Sequence, residues 1–134
     1  MRFPNLVASA ILGSSILGTA IAGSPIVSGS ATPSPDPVQV ASANYKVVFE
    51  NDRVRVLSFH AQPGDAWGLH AHPDAVVISL DNYVVRNIVP GNSPTERTAH
   101  RGDAAWIPAR SHTGENIGGT PMDCILVELK EPAH

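Results

Sequence analysis

The sequence predicts an all-β domain, a jelly-roll β-barrel, and three observations carry that prediction. From Asn44 onward, short runs rich in β-branched residues recur at roughly the spacing of a sandwich or barrel. Turn residues separate them, at Asn51-Asp52, Pro63-Gly64-Asp65, Pro73-Asp74, Asp81-Asn82 and between Pro90 and Pro94. Nowhere in this region do apolar residues recur with the period of a helix.

Taken in order, the chain opens with a segment unlike the rest. Residues 1–22 read as a secretory signal peptide: Arg2 supplies the positive start, residues 6–21 an apolar run, and Ala20-Ile21-Ala22 before Gly23 a small-x-small cleavage site. The competing reading is an uncleaved membrane anchor, but the Gly, Ser and Ala content of the run makes it weakly hydrophobic. The expectation is therefore export, to the periplasm or beyond the cell, with no stable membrane insertion after cleavage. Residues 23–43, with Thr32-Pro33-Ser34-Pro35-Asp36-Pro37 at their centre, read as a disordered Pro/Ser-rich linker, and the folded domain is expected over residues 44–134.

Within that domain the strand candidates are residues 45–50, 53–60, 67–72, 75–80, 83–89, 96–100, 104–107 and 122–130. Asp81-Asn82 reads as a two-residue hairpin turn between the fourth and fifth. So small a domain buries only about 60 to 65% of its unfolded surface, so pairing two barrels through an apolar edge such as residues 45–49 is expected to give a homodimer.

Charge and cysteine usage exclude several classes. Without residues 1–22 the chain keeps eight Lys and Arg against twelve Asp and Glu, and the arginines are scattered, so no basic patch invites nucleic acid. Cys124 is the only cysteine, which rules out an intramolecular disulfide; its apolar surroundings make it a small core residue. Neither a phosphate-cradling glycine loop nor a Gly-x-Ser-x-Gly elbow is present.

The chemistry concentrates in two stretches. Gly64-Asp65-Ala66-Trp67-Gly68-Leu69-His70-Ala71-His72 carries a His-x-His pair, and on a strand of side-chain period two both imidazoles leave the same face, where they can grip one ion. The second stretch, residues 102–112 followed by Asn116, carries Gly102, Pro108 and His112. Together they resemble the two motifs of the cupin superfamily. In the first, five residues separate a glycine from His-x-His, as they separate Gly64 from His70 and His72; Val76 and Val77 stand where that motif has glutamate. In the second, Arg110 replaces a glycine and the histidine arrives one residue early. The resemblance covers residues 45–130 and extends to small single-domain cupins, through the Asn-Asp-Arg-Val-Arg-Val opening at residues 51–56 and the Val-Glu-Leu-Lys ending at residues 127–130.

The resemblance implies a cupin-type barrel in which His70, His72 and His112 hold one divalent transition metal (Fe, Mn, Ni or Zn). Three neutral imidazoles leave coordination positions open for a small organic molecule. It implies a dioxygenase-like oxidoreductase, an isomerase or lyase also being compatible; the alternative is a non-catalytic module that binds a metal or small molecule. Metal uptake is expected to weaken below about pH 6.5, where unperturbed histidine protonates. Around the ligands, His60 is expected to reach the pocket from an adjacent strand. Trp67 and Trp106 are expected to seal the barrel, Asp74 and Asn116 to serve turns, and Glu115, His100 and His134 to lie at the surface.

Overall fold

The computed structural model describes residues 35–131. The signal peptide, the linker up to Ser34 and His134 fall outside the described residues. Within them nine strands follow one helical turn: α1 (Pro37–Val40), β1 (Tyr45–Glu50), β2 (Val54–Ala61), β3 (Ala66–His72), β4 (Ala75–Ser79), β5 (Tyr83–Ile88), β6 (Thr95–Ala99), β7 (Ala104–Ile107), β8 (Arg110–Asn116) and β9 (Met122–Leu129). They form two antiparallel sheets, β1-β2-β9-β4-β7 and β3-β8-β5-β6, that enclose a jelly-roll core.

Strand alternation builds that core. Leu57, Phe59 and Ala61 from β2 meet Met122, Cys124 and Leu126 from β9, while Tyr83 and Val85 face them from the other sheet. The eight expected strands all appear, with ends moved by a residue or two. The additional one is β8. Its inward positions are His112, Gly114 and Asn116, so it has the period of a strand without the apolar residues that announce one.

Gly114 faces Trp67 across the β3–β8 ladder, and a Cβ there would lie 2.4 Å from the indole ring, so the ring fills the space a side chain would occupy. A register shift between Trp67 and His70 completes the arrangement. Without that bulge Trp67 and His70 would have opposite parity; with it Trp67, His70 and His72 all point inward.

Two expectations are corrected. Asp81-Asn82 is not a hairpin: β4 pairs with β7 and β9, β5 with β6 and β8, so the turn carries the chain from one sheet to the other. It is pinned by Arg101, whose backbone N–H donates to Asn82 Oδ1 at 2.9 Å and whose guanidinium donates to Asp81 at 2.6 Å.

The boundary at Asn44 also moves. Residues 35–43, expected as linker, pack on the barrel: Asp36 caps α1 by accepting from the Val38 N–H at 2.8 Å, and Pro37 occupies its first turn. Pro37 and Ala41 are buried, the Pro35 carbonyl accepts from the Ala71 N–H at 2.9 Å, and Asp36 pairs with Arg55 at 2.6 Å. Proline and aspartate here serve a helix start, which composition alone does not separate from an extended linker.

Candidate metal centre

The strand pattern brings the three predicted histidines together. His70 and His72 share a face of β3, and the β3–β8 register places His112 directly opposite His70. All three are buried, and one ring nitrogen from each lies within 4.8 Å of the others. The His70 and His72 Nε2 atoms are 2.9 Å apart.

The opposite edge of each ring has its own acceptor. His70 Nδ1 donates to the Gly68 carbonyl at 2.8 Å, His72 Nδ1 to Glu128 Oε1 at 2.6 Å, and His112 Nδ1 to Asn87 Oδ1 at 3.0 Å. With the proton on Nδ1 in each ring, all three Nε2 atoms present lone pairs to one another. Among the described residues only the Tyr45 hydroxyl, 3.2 Å from His70 Nε2, donates to the group, and His112 Nε2 is buried without a partner. Lone pairs that close, in a buried place, repel unless a cation stands among them. The residues fit a metal ion on this ground.

Electrostatics favour the neutral form of His70 and His112. Burial first, then the neighbouring His70, His72 and Arg110, push His112 down to about 3, and burial likewise lowers His70. Burial holds the Tyr45 phenol well above its ordinary value, so it stays a donor.

Chains of known structure share this arrangement of strands. A cupin domain from Bordetella pertussis is similar with a TM-score of 0.60 and 25% identity, over 65% of this chain and 92% of that one. A cupin family protein with a double-stranded β-helix fold from Methanocaldococcus jannaschii gives 0.54 at 12% identity, over 66% and 80% of the two chains. A conserved double-stranded β-helix protein from Klebsiella pneumoniae gives 0.51 at 23% identity, over 65% and 83%. The fold is the cupin jelly roll. No protein-family model matches the sequence. No curated protein matches it either.

Within the cupin barrel, the position of the absent motif glutamate is apolar: Val77 is buried and lines the cavity beside the histidines. The carboxylate the site does possess is Glu128 of β9, which sequence reasoning missed. It is 1% exposed and bridges His72 and Arg55, both at 2.6 Å. Arg55 in turn reaches Asp36 at 2.6 Å. Burial alone would raise the Glu128 carboxyl, but the hydrogen bonds from His72 and Arg55 hold it below the usual carboxylate range. Glu128 thus holds the His72 ring from behind and fixes its orientation and tautomer. The segments at residues 51–56 and 127–130 that carry the likeness to small cupins lie on adjacent strands and meet at this Arg55–Glu128 pair.

The remaining expectations divide. His60 does not reach the pocket: alternating with inward Phe59 and Ala61, it points outward, half exposed, to Asp123 at 2.7 Å and Gln62 at 2.9 Å. Trp67 is buried as expected, whereas Trp106 is 55% exposed and lines the cavity. Asp74 lies between β3 and β4 and accepts from the Ala109 N–H at 2.7 Å, so it ties that connection to the one between β7 and β8 rather than closing a local turn. Asn116 is fully buried, donating to the Ala61 and Thr120 carbonyls and accepting from the Gly118 N–H. Glu115 pairs with Arg86 at the surface, and His100 is exposed. Cys124 is a core residue whose thiol burial pushes up to about 12, which leaves it no thiolate for nucleophilic chemistry.

Proposed function

We propose that this protein is a metal-dependent cupin enzyme, a dioxygenase-like oxidoreductase acting on a small organic molecule beside a divalent ion held by His70, His72 and His112. The observation that supports it is the trio of buried Nε2 lone pairs with Tyr45 as their one donor. A transition ion in a three-nitrogen site with open positions supplies Lewis-acid polarisation and, if it is iron, access to redox chemistry with dioxygen. A cavity of about 140 Å³ adjoins His72 and His112 and has room for a small molecule.

The chain's own groups define what happens there. Glu128 and Asn87 hold two of the rings by their Nδ1 edges, so substrate arrival need not reorganise them. The Tyr45 hydroxyl lines the cavity and offers a proton donor to an oxygen placed there. Phe59, Val85 and Leu126 exclude water from the cavity wall.

The test is metal analysis of full-length protein purified without chelator, followed by oxygen uptake with candidate substrates. Bound iron with substrate-dependent oxygen consumption supports the reading. Bound metal with no turnover would favour the non-catalytic binding module, and protein that refuses every divalent ion sinks both. The proposal includes export of the mature chain, checked by N-terminal sequencing from the periplasm or medium. It also includes a homodimer through β1, a sheet edge where Val47, Val48 and Phe49 are exposed. A monomeric mass by light scattering would remove that part.

A further inference from the structure

The cavity beside the histidines is unbalanced in charge. Two arginines line it, Arg97 from β6 and Arg110 from β8, and among the described residues no aspartate or glutamate does. Of the other described arginines, Arg55 pairs with Asp36 and Glu128, Arg86 with Glu96 and Glu115, and Arg101 with Asp81, while Arg53 has no ion pair among the described residues but is exposed and lies outside this cavity. Among the described residues Arg97 and Arg110 have no ion pair. Arg110 Nε is moreover buried without a hydrogen-bond acceptor. A buried guanidinium donor left unpaired is costly, and the arrangement persists most readily where a ligand completes it.

We propose that this cavity takes a small organic acid whose carboxylate is bound by Arg110, with Arg97 supplying the second positive charge. A planar guanidinium fork matches a carboxylate by two parallel hydrogen bonds, so the interaction selects geometry as well as charge. The rest of the cavity asks for an apolar body on that acid: Val77, Val85, Trp106 and Ile107 line it. Arg110 is also the residue that stands where the motif resembled by this segment has glycine, so the charge is a feature of this chain. It lies two residues from His112 on β8 and opposite His72 on β3, which sets the bound acid next to the three nitrogens. The inference names the substrate class of the site described above, and its catalytic meaning rests on that reading; the anion pocket itself does not.

The experiment uses the full chain, its metal content measured first, titrated calorimetrically with lactate, benzoate and inorganic phosphate, and with lactamide and benzamide as neutral counterparts. At least one carboxylate should bind tenfold or more tightly than its amide. Arg110→Gln should weaken that binding at least tenfold and Arg97→Gln severalfold, while Arg101→Gln, paired to Asp81 on the surface, should leave it unchanged. Arg110→Lys serves if the glutamine variant fails to fold: keeping the charge and losing the fork, it should retain part of the affinity. Equal binding of acid and amide, wild-type affinity in a folded Arg110→Gln, or no carboxylate binding at millimolar concentration would overturn the proposal. Phosphate bound more tightly than either carboxylate would overturn the assignment to an organic acid. Repeating the titrations after chelation separates the two readings, because arginine-dependent carboxylate binding in metal-free protein upholds the pocket even where the metal analysis fails.

Discussion

Glu128→Gln isolates the contribution of the buried carboxylate with almost no change of shape. In the native chain its two oxygens accept from His72 Nδ1 and Arg55 Nε, both at 2.6 Å, with the side chain 2% exposed. Each charge-assisted hydrogen bond of this kind is worth about 1.5–3 kcal/mol. A glutamine keeps one acceptor, and its amide NH2 must then face either an imidazole N–H or a guanidinium, donor against donor. Arg55, 20% exposed and still paired with Asp36, is left partly compensated by solvent. The net loss should be about 2–4 kcal/mol, less than the full cost of stranding a buried charge. For a domain of roughly 100 residues that corresponds to a fall in Tm of about 10 °C or more. Metal affinity should fall about 10- to 100-fold, because His72 loses the group that fixes its ring and tautomer. Thermal unfolding of chelated protein and competition titration with a chromophoric chelator read the two effects separately. A variant within about 1 kcal/mol of wild type and unchanged in metal affinity would refute the claim that Glu128 supports the site.

Other outcomes follow from the same geometry. His70→Ala, His72→Ala and His112→Ala should each abolish tight metal uptake, measured by elemental analysis after desalting, whereas His100→Ala, at the surface, should retain wild-type stoichiometry. Metal-free protein should lose stability as pH falls below about 6.5: the unfolded chain then binds a proton at His112 while the folded chain, held near 3, does not. The loss is about 2 kcal/mol at pH 5 from His112 alone, His70 adds to it in the same direction, and a urea midpoint that does not move between pH 7.5 and 5 would contradict this. Glu128, whose folded value is lowered, adds its own loss only below the ordinary carboxylate range. Gly114→Ala should cost about 1–3 kcal/mol by overpacking against Trp67, read by denaturant unfolding and tryptophan emission; an unshifted midpoint would mean the indole can move aside.

What the sequence made legible, and what it hid, turns on side-chain parity. The strands with apolar alternation were readable almost to the residue, and the His-x-His pair was readable because a period of two leaves both rings on one face. β8 was hidden because its inward residues are a histidine, a glycine and an asparagine, each filling its place for a specific reason: a nitrogen toward the histidine cluster, room for Trp67, a clamp on two carbonyls. Glu128 was hidden by the opposite effect. It follows Met122, Cys124 and Leu126 at every second position of β9, so parity alone places it inward, yet its charge and its place near the end of the segment read as surface. Burying it is tolerable only because Arg55 lies directly across the β2–β9 ladder and His72 reaches it from the other sheet. A carboxylate at an inward parity position of a strand, with an arginine at the matching position of a neighbouring strand, is therefore a signal that an amino-acid sequence can carry by itself. In this chain it marks the acid that holds His72 from behind, and it leaves Arg97 and Arg110 as the charges of the cavity without an ion pair among the described residues.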